Sequence, residues 1–149
     1  DKLLADDFVG LTKKGEVSFK KTDYIAYMKD WNKTFNTKWK VEKVTYSATG
    51  AISTEYDTDI FNDHFYNGKM KIQYTYVFSK TQIKSITTVP LPGSAELENN
   101  FQNRFAKFIE WVKTNHPQKI NYCFERDEQS AKETKALLIE YLAYLKTRS

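Results

Sequence analysis

From position 38 to position 89 the apolar side chains recur at every second residue, and no other feature narrows the possible folds so far. A helix repeats at 3.6 residues; a period of two belongs to strands with one buried face. Val44, Tyr46 and Ala48 alternate with Lys43, Thr45 and Ser47, so residues 39–48 read as a strand ended by Thr49-Gly50. Ile52, Thr54, Tyr56, Thr58 and Ile60 alternate with Ser53, Glu55, Asp57, Asp59 and Phe61 in a second. Met70, Ile72, Tyr74, Tyr76 and Phe78 form a third apolar row against Lys69, Lys71, Gln73, Thr75 and Val77. Residues 82–89 make a fourth before "PLPG". Four such runs with short connections predict an antiparallel meander.

Helical spacing flanks this block. "DKLLADDFVG" reads as the end of a helix with Leu3, Leu4 and Phe8 on one side, and a Lys-Gly turn then leads to a brief extended piece at Val17 and Phe19. Thr22 is placed to cap "DYIAYMKDWNK", where Tyr24, Ile25, Tyr27, Met28 and Trp31 share a face. Ser94 is read as the cap of a helix carrying Leu97, Phe101, Phe105, Phe108, Ile109 and Val112 in one stripe, stopped by His116-Pro117. Ser130 and Glu133 form a capping-box pattern before a last stripe of Thr134, Leu137, Leu138, Tyr141, Leu142 and Leu145. Each helix has one apolar and one charged face, so each must lie on something, and the sheet is the expected partner. Trp111 and Tyr144 fall off the stripes and are read as exposed aromatics suited to an interface.

"FNDHFYNGKMKIQY" sets Asp63 and His64 side by side among aromatics. Asn67-Gly68 is a two-residue turn signal; the simplest hairpin pairs Tyr66 with Lys69 and makes paired numbers sum to 135, mixing polar and apolar rows. An even sum keeps like with like: at 130, Tyr56 faces Tyr74, Thr58 faces Ile72 and Ile60 faces Met70, with Asp59 opposite Lys71 and Asp57 opposite Gln73. Burying an unpaired carboxylate costs several kcal/mol, more than any one cross-strand pair returns, so the even register is expected. It places Asp63, His64 and Asn67 in an exposed loop, with no catalytic part for His64.

Composition removes several classes of function. The net charge is +4, but 20 of the 23 bases are Lys and only Arg104, Arg126 and Arg148 are Arg. Scattered Lys interleaved with 19 acids describes a solvated surface, and no nucleic-acid partner is expected. Cys123 stands alone, which forbids an internal disulfide, and reads as a small buried hydrophobe. His64 and His116 lack ligand-spaced partners, so no metal site is expected, and no cofactor motif occurs. No apolar run reaches the roughly 20 residues of a membrane-spanning helix. Glu55, Asp57 and Asp59, with Lys69 and Lys71 on the next strand, read as a salt-bridged surface strip.

The segments "LLADDFVG", "GEVSFKKTDYIAYMK" and "NGKMKIQYTYVFSKTQIKSI" resemble the nuclear transport factor two-like superfamily, which includes SnoaL-type polyketide cyclases and ketosteroid isomerases. The resemblance covers residues 1–89. It implies a single α+β domain over residues 1–149: a curved antiparallel β-meander, the cystatin-like cone, packed by amphipathic helices, with residues 94–149 as a two-helix C-terminal extension. Two features depart from the family pattern. The long helix that precedes "ADDF" in such proteins is missing, and the extension is longer than the fold needs; the expectation is that its helices cover the sheet surface so exposed. Asp1 in place of Met implies that something upstream was removed. Similar tails occur in uncharacterised bacterial members that look exported, so localisation outside the cytoplasm fits without being fixed.

In such a cone the mouth holds a small apolar ligand. Tyr46, Tyr56, Tyr74, Tyr76 and Phe78 are the ligand-binding candidates. No catalytic residue carries over, because no motif here matches the family's residue by residue; Asp57 and Asp59 also fall on the opposite face from Tyr56, and a general base must come within about 3 Å of its proton. The leading expectation is therefore a non-catalytic domain for a small hydrophobic molecule or peptide, more a binder than an enzyme. The alternatives are a SnoaL or ketosteroid isomerase-type enzyme using Asp57 or Asp59 with a pocket Tyr, and a protein-interaction module. Sheet-face pairing in the superfamily implies a homodimer. A carboxylate of raised pKa inside a cavity would favour the enzyme; a cavity of Tyr, Phe and Ile alone would favour binding.

Overall fold

The computed structural model describes residues 2–125 and 127–148; Asp1, Arg126 and Ser149 lie outside the described residues. Six strands form one curved mixed sheet in an α+β arrangement. They are β1 (Leu4–Leu11), β2 (Val17–Lys20), β3 (Lys38–Ser47), β4 (Gly50–Thr58), β5 (Ile72–Ser79) and β6 (Gln82–Pro90). Their spatial order is β2-β1-β6-β5-β4-β3. The four alternating runs are the antiparallel meander β3 to β6.

The "LLADDFVG" segment is strand β1, not a helix end. It pairs antiparallel with β2 and parallel with β6. Its register slips between Leu4 and Val9, and there Asp6 and Asp7 point to solvent near Lys21 and Lys84. That bulge breaks the two-residue period a strand would otherwise show.

Between β2 and β3 the chain is helical from Lys21 to Phe35: α1 (Lys21–Ala26), a π-helical segment (Tyr27–Asn32) and α2 (Lys33–Phe35). Lys20, not Thr22, is the N-cap residue, and its backbone N–H donates to Asp23 Oδ2 at 3.1 Å. The wider π turn sends Trp31 and Phe35 into a helical core while Tyr27, Met28 and Asp30 face the sheet side.

The second strand stops at Thr58 because Asp59 caps a helix. Its Oδ1 accepts from Phe61 N at 2.8 Å and Asn62 N at 2.9 Å, opening α3 (Ile60–Tyr66). Asn67, at φ 56°, is the left-handed residue that closes α3, so Asn67-Gly68 is a helix end rather than a hairpin turn. A Cβ at Gly68 would lie 2.7 Å from Leu97 Cδ2, so any larger residue there would make the end of that side chain shift.

With a helix between β4 and β5, no turn sets their register. Paired numbers sum to 127: Ala51 faces Tyr76, Ser53 faces Tyr74 and Glu55 faces Ile72. The sum is odd, against the even register expected. Ser53, Glu55 and Asp57 therefore share a face with Tyr74 and Tyr76, while Tyr56 occupies the other.

Helices α4 (Ser94–Asn115) and α5 (Glu128–Lys146), joined by a 3₁₀ segment (Pro117–Cys123), do not cover the sheet. They pack on α3, α2, the π-helical segment and each other. Phe65, Phe108, Val112, Ala131 and Leu138 are fully enclosed there. Asp127 rather than Ser130 caps α5, accepting from Ser130 N at 2.8 Å, and Gly93 precedes α4 with no side-chain cap from Ser94. Trp111, expected at the surface, is 9% exposed, packed among Tyr141, Tyr144 and His116. Cys123 is buried, and burial pushes its thiol up to about 11. A second, smaller cluster of Leu4, Phe8 and Ile86 lies on the sheet face that carries Tyr74 and Tyr76.

Candidate functional site

Between these two clusters lies a cleft of about 960 Å³, at the upper end of the usual size for small-molecule sites. Its floor is the odd row of β4 with Ile72, Tyr74 and Tyr76 of β5; its roof comes from α1 and the π-helical segment, through Tyr24, Ala26, Tyr27 and Met28. Trp39 of β3 pairs with Asp57 and sets its ring edge-on to Tyr74, with centroids 6.4 Å apart. Tyr74 and Tyr76 stack at 6.1 Å.

Two carboxylates are set into this aromatic wall. Glu55 is only 9% exposed. Ser53 Oγ donates a short hydrogen bond to its Oε1, and Tyr76 OH donates to the same oxygen at 2.9 Å. Asp57 Oδ2 accepts from Asn62 Nδ2 at 3.2 Å. Burial, then the charge of Asp59, pushes the Asp57 carboxyl up to about 6. Burial, reinforced by Asp57 and Glu55, raises the Tyr74 phenol far above its ordinary value; burial and Glu55 do the same to Tyr76 and, less strongly, to Tyr24. All three rings stay neutral near pH 7.

Asp59 has no hand free for chemistry. Besides capping α3 it accepts from Thr37 Oγ1 at 2.6 Å and Asn62 Nδ2 at 3.0 Å. Nor is the acidic strip salt-bridged at the surface. Lys71 pairs with Glu42 at 2.8 Å, and Lys69 lies over the Tyr56 ring at 4.9 Å, on the sheet's other face. His64 sits on α3, half-buried against Phe65 and Tyr141, and burial with the nearby Arg104 lowers its pKa.

Of the five ligand-binding candidates, Tyr74 and Tyr76 line the cleft. Tyr46 is 76% exposed beyond its far end, Tyr56 is on the reverse face, and Phe78 lies past the β5–β6 bulge, partly exposed and not lining the cleft. Sequence reasoning gave no role to Trp39 or Tyr24 and read Glu55 as surface. A signal existed: Phe61 and Phe65, four apart after Asp59, mark a capped helical turn, and a helix there removes the hairpin that argued for the even register.

Among the described residues no helix is long and apolar enough to cross a membrane, and no three potential ligand side chains gather as a metal site. No protein-family model and no curated protein matches the sequence. Solved structures do. A protein described as a SnoaL-like polyketide cyclase from Jannaschia sp. CCS1 superposes with TM-score 0.50 at 10% identity, over 67% of this chain and 74% of that one. A Kribbella flavida protein gives TM-score 0.50 at 11% identity, over 70% and 79%. An NTF2-like protein of unknown function from Cytophaga hutchinsonii gives 0.45 at 14%, over 63% and 74%. At such identities the likeness establishes the fold alone: the chain has the cone fold of nuclear transport factor two-like and SnoaL-like proteins.

Proposed function

We propose that this protein binds a small, largely apolar molecule in the cleft between its helical roof and the sheet, with Tyr74 and Tyr76 among the contacts. The observation that carries the reading is the cleft itself, roomy and walled mainly by aromatic and aliphatic side chains. The cleft counts against an interaction module, which needs no cavity. Native mass spectrometry of protein purified without denaturant tests the proposal. An adduct of a few hundred daltons is expected on the wild type, and Thr88→Trp, which fills the cleft, should remove it. A clean spectrum for the wild type, with no cleft-directed compound raising its melting temperature, contradicts the proposal.

One observation favours a second reading. An Asp held near 6 is poised to exchange a proton at neutral pH, which a passive container does not require. In a SnoaL or ketosteroid isomerase-type reaction, Asp57 would act as base and a neutral Tyr74 or Tyr76 as hydrogen-bond donor to the oxyanion. Turnover lost in Asp57→Asn, with binding kept, would support it.

A further inference from the structure

Among the described residues, the charge-bearing side chains of the cleft are all acids. Asp23, Asp30, Glu55, Asp57 and Asp127 line it; among the described residues, no Lys, Arg or His does. This holds in a chain with a net charge of +4. Asp23 and Asp127 lie at the rim and are occupied as caps. Glu55 and Asp57 lie on the sheet floor, and neither has an ion-pair partner among the described residues.

Glu55 supplies the decisive detail. Both its hydrogen bonds fall on Oε1, so Oε2, on a carboxylate nine-tenths buried in the cleft wall, has no hydrogen-bond donor among the described residues. Oε2 is not fully enclosed, so it stays within reach of the cleft for a ligand's donor or positive charge. Among the described residues no third ligand side chain joins Glu55 and Asp57 as a metal site. What does surround them is π surface: Trp39 opposite Asp57, Tyr74 beside Trp39, and Tyr76 bonded to Glu55. Aromatic faces with carboxylates at their edge are the chemistry that holds ammonium groups.

Building on the binding reading above, we infer that the cleft's ligand is an organic cation, an amine or quaternary ammonium on an apolar body. Its charge sits between Glu55 and Asp57 against the faces of Trp39, Tyr74 and Tyr76. The apolar body lies along Ile72 and Met28.

The test compares benzyltrimethylammonium with its uncharged carbon isostere, neopentylbenzene, by NMR titration of the full chain. The cation should bind at least about tenfold tighter than the isostere. Glu55→Gln should weaken the cation about fivefold or more and leave the isostere within about twofold. Asp57→Asn, nearly isosteric, provides the same comparison should Glu55→Gln fold poorly. Equal affinities, or preference for the isostere, overturn the cation assignment and leave the binding reading standing. Failure of both compounds to bind, with a clean native mass spectrum, overturns both.

Discussion

Asp57 is the residue whose surroundings say most about the molecule. Its ordinary pKa is 3.8 and its folded value about 6, so the native state holds a proton that the unfolded chain has lost across that interval. Stability therefore falls as pH rises from about 4 to about 6 and stays at the lower level above it. Asp57→Asn removes the loss. At pH 8 the variant should melt several degrees above the wild type, a gain on the order of 1–3 kcal/mol, and at pH 4 the two should coincide. Thermal melts followed by circular dichroism at both pH values check this; equal melting temperatures at pH 8 would show that the carboxylate is well solvated. Such a gain on removing a side chain is the usual mark of a group kept for function rather than for the fold.

At the scale of single elements, α3 decides where that carboxylate points. Asp59→Ala removes the cap of α3 and the bond from Thr37, and should cost about 1–2 kcal/mol in urea unfolding. Asp59→Asn should also bring the Asp57 pKa down, because the Asp59 charge is one cause of its rise. Gly50 makes a separate demand. A Cβ there would fall 2.1 Å from the Tyr76 carbonyl oxygen, so Gly50→Ala should cost about 1–3 kcal/mol by forcing β4 and β5 apart. The meander was legible in the sequence because its strands alternate cleanly, and Tyr74 and Tyr76 were legible with it. The register was not. The Asn67-Gly68 pair carries the chemistry of a hairpin turn, yet Asn in the left-handed region serves a helix end equally well. The same ambiguity hid the site: Glu55 and Asp57 were visible as an acidic row, but one residue of slip carried that row from solvent to cleft. Strand β1 escaped notice because its parallel partner β6 lies some 80 residues away and its bulge at Asp6 and Asp7 erases the alternation.

Across the whole molecule, stability and the candidate site are largely separate. The larger apolar cluster, around Phe65, Phe108 and Leu138, belongs to the helices, and most of the cleft's aromatics pack with the smaller cluster on the same sheet face. Phe65→Ala should cost about 3–5 kcal/mol while the folded variant keeps its ligand affinity. Affinity falling in step with stability would mean that the helical core shapes the cleft. The molecule as a whole is a cone whose buried acids face aromatic rings and, among the described residues, no base. A carboxyl-selective ¹³C NMR titration of Asp57 in the ligand-free wild type addresses that arrangement most directly. A midpoint near 6 is expected; a midpoint near 4 would place Asp57 in water or beside a cation and contradict it.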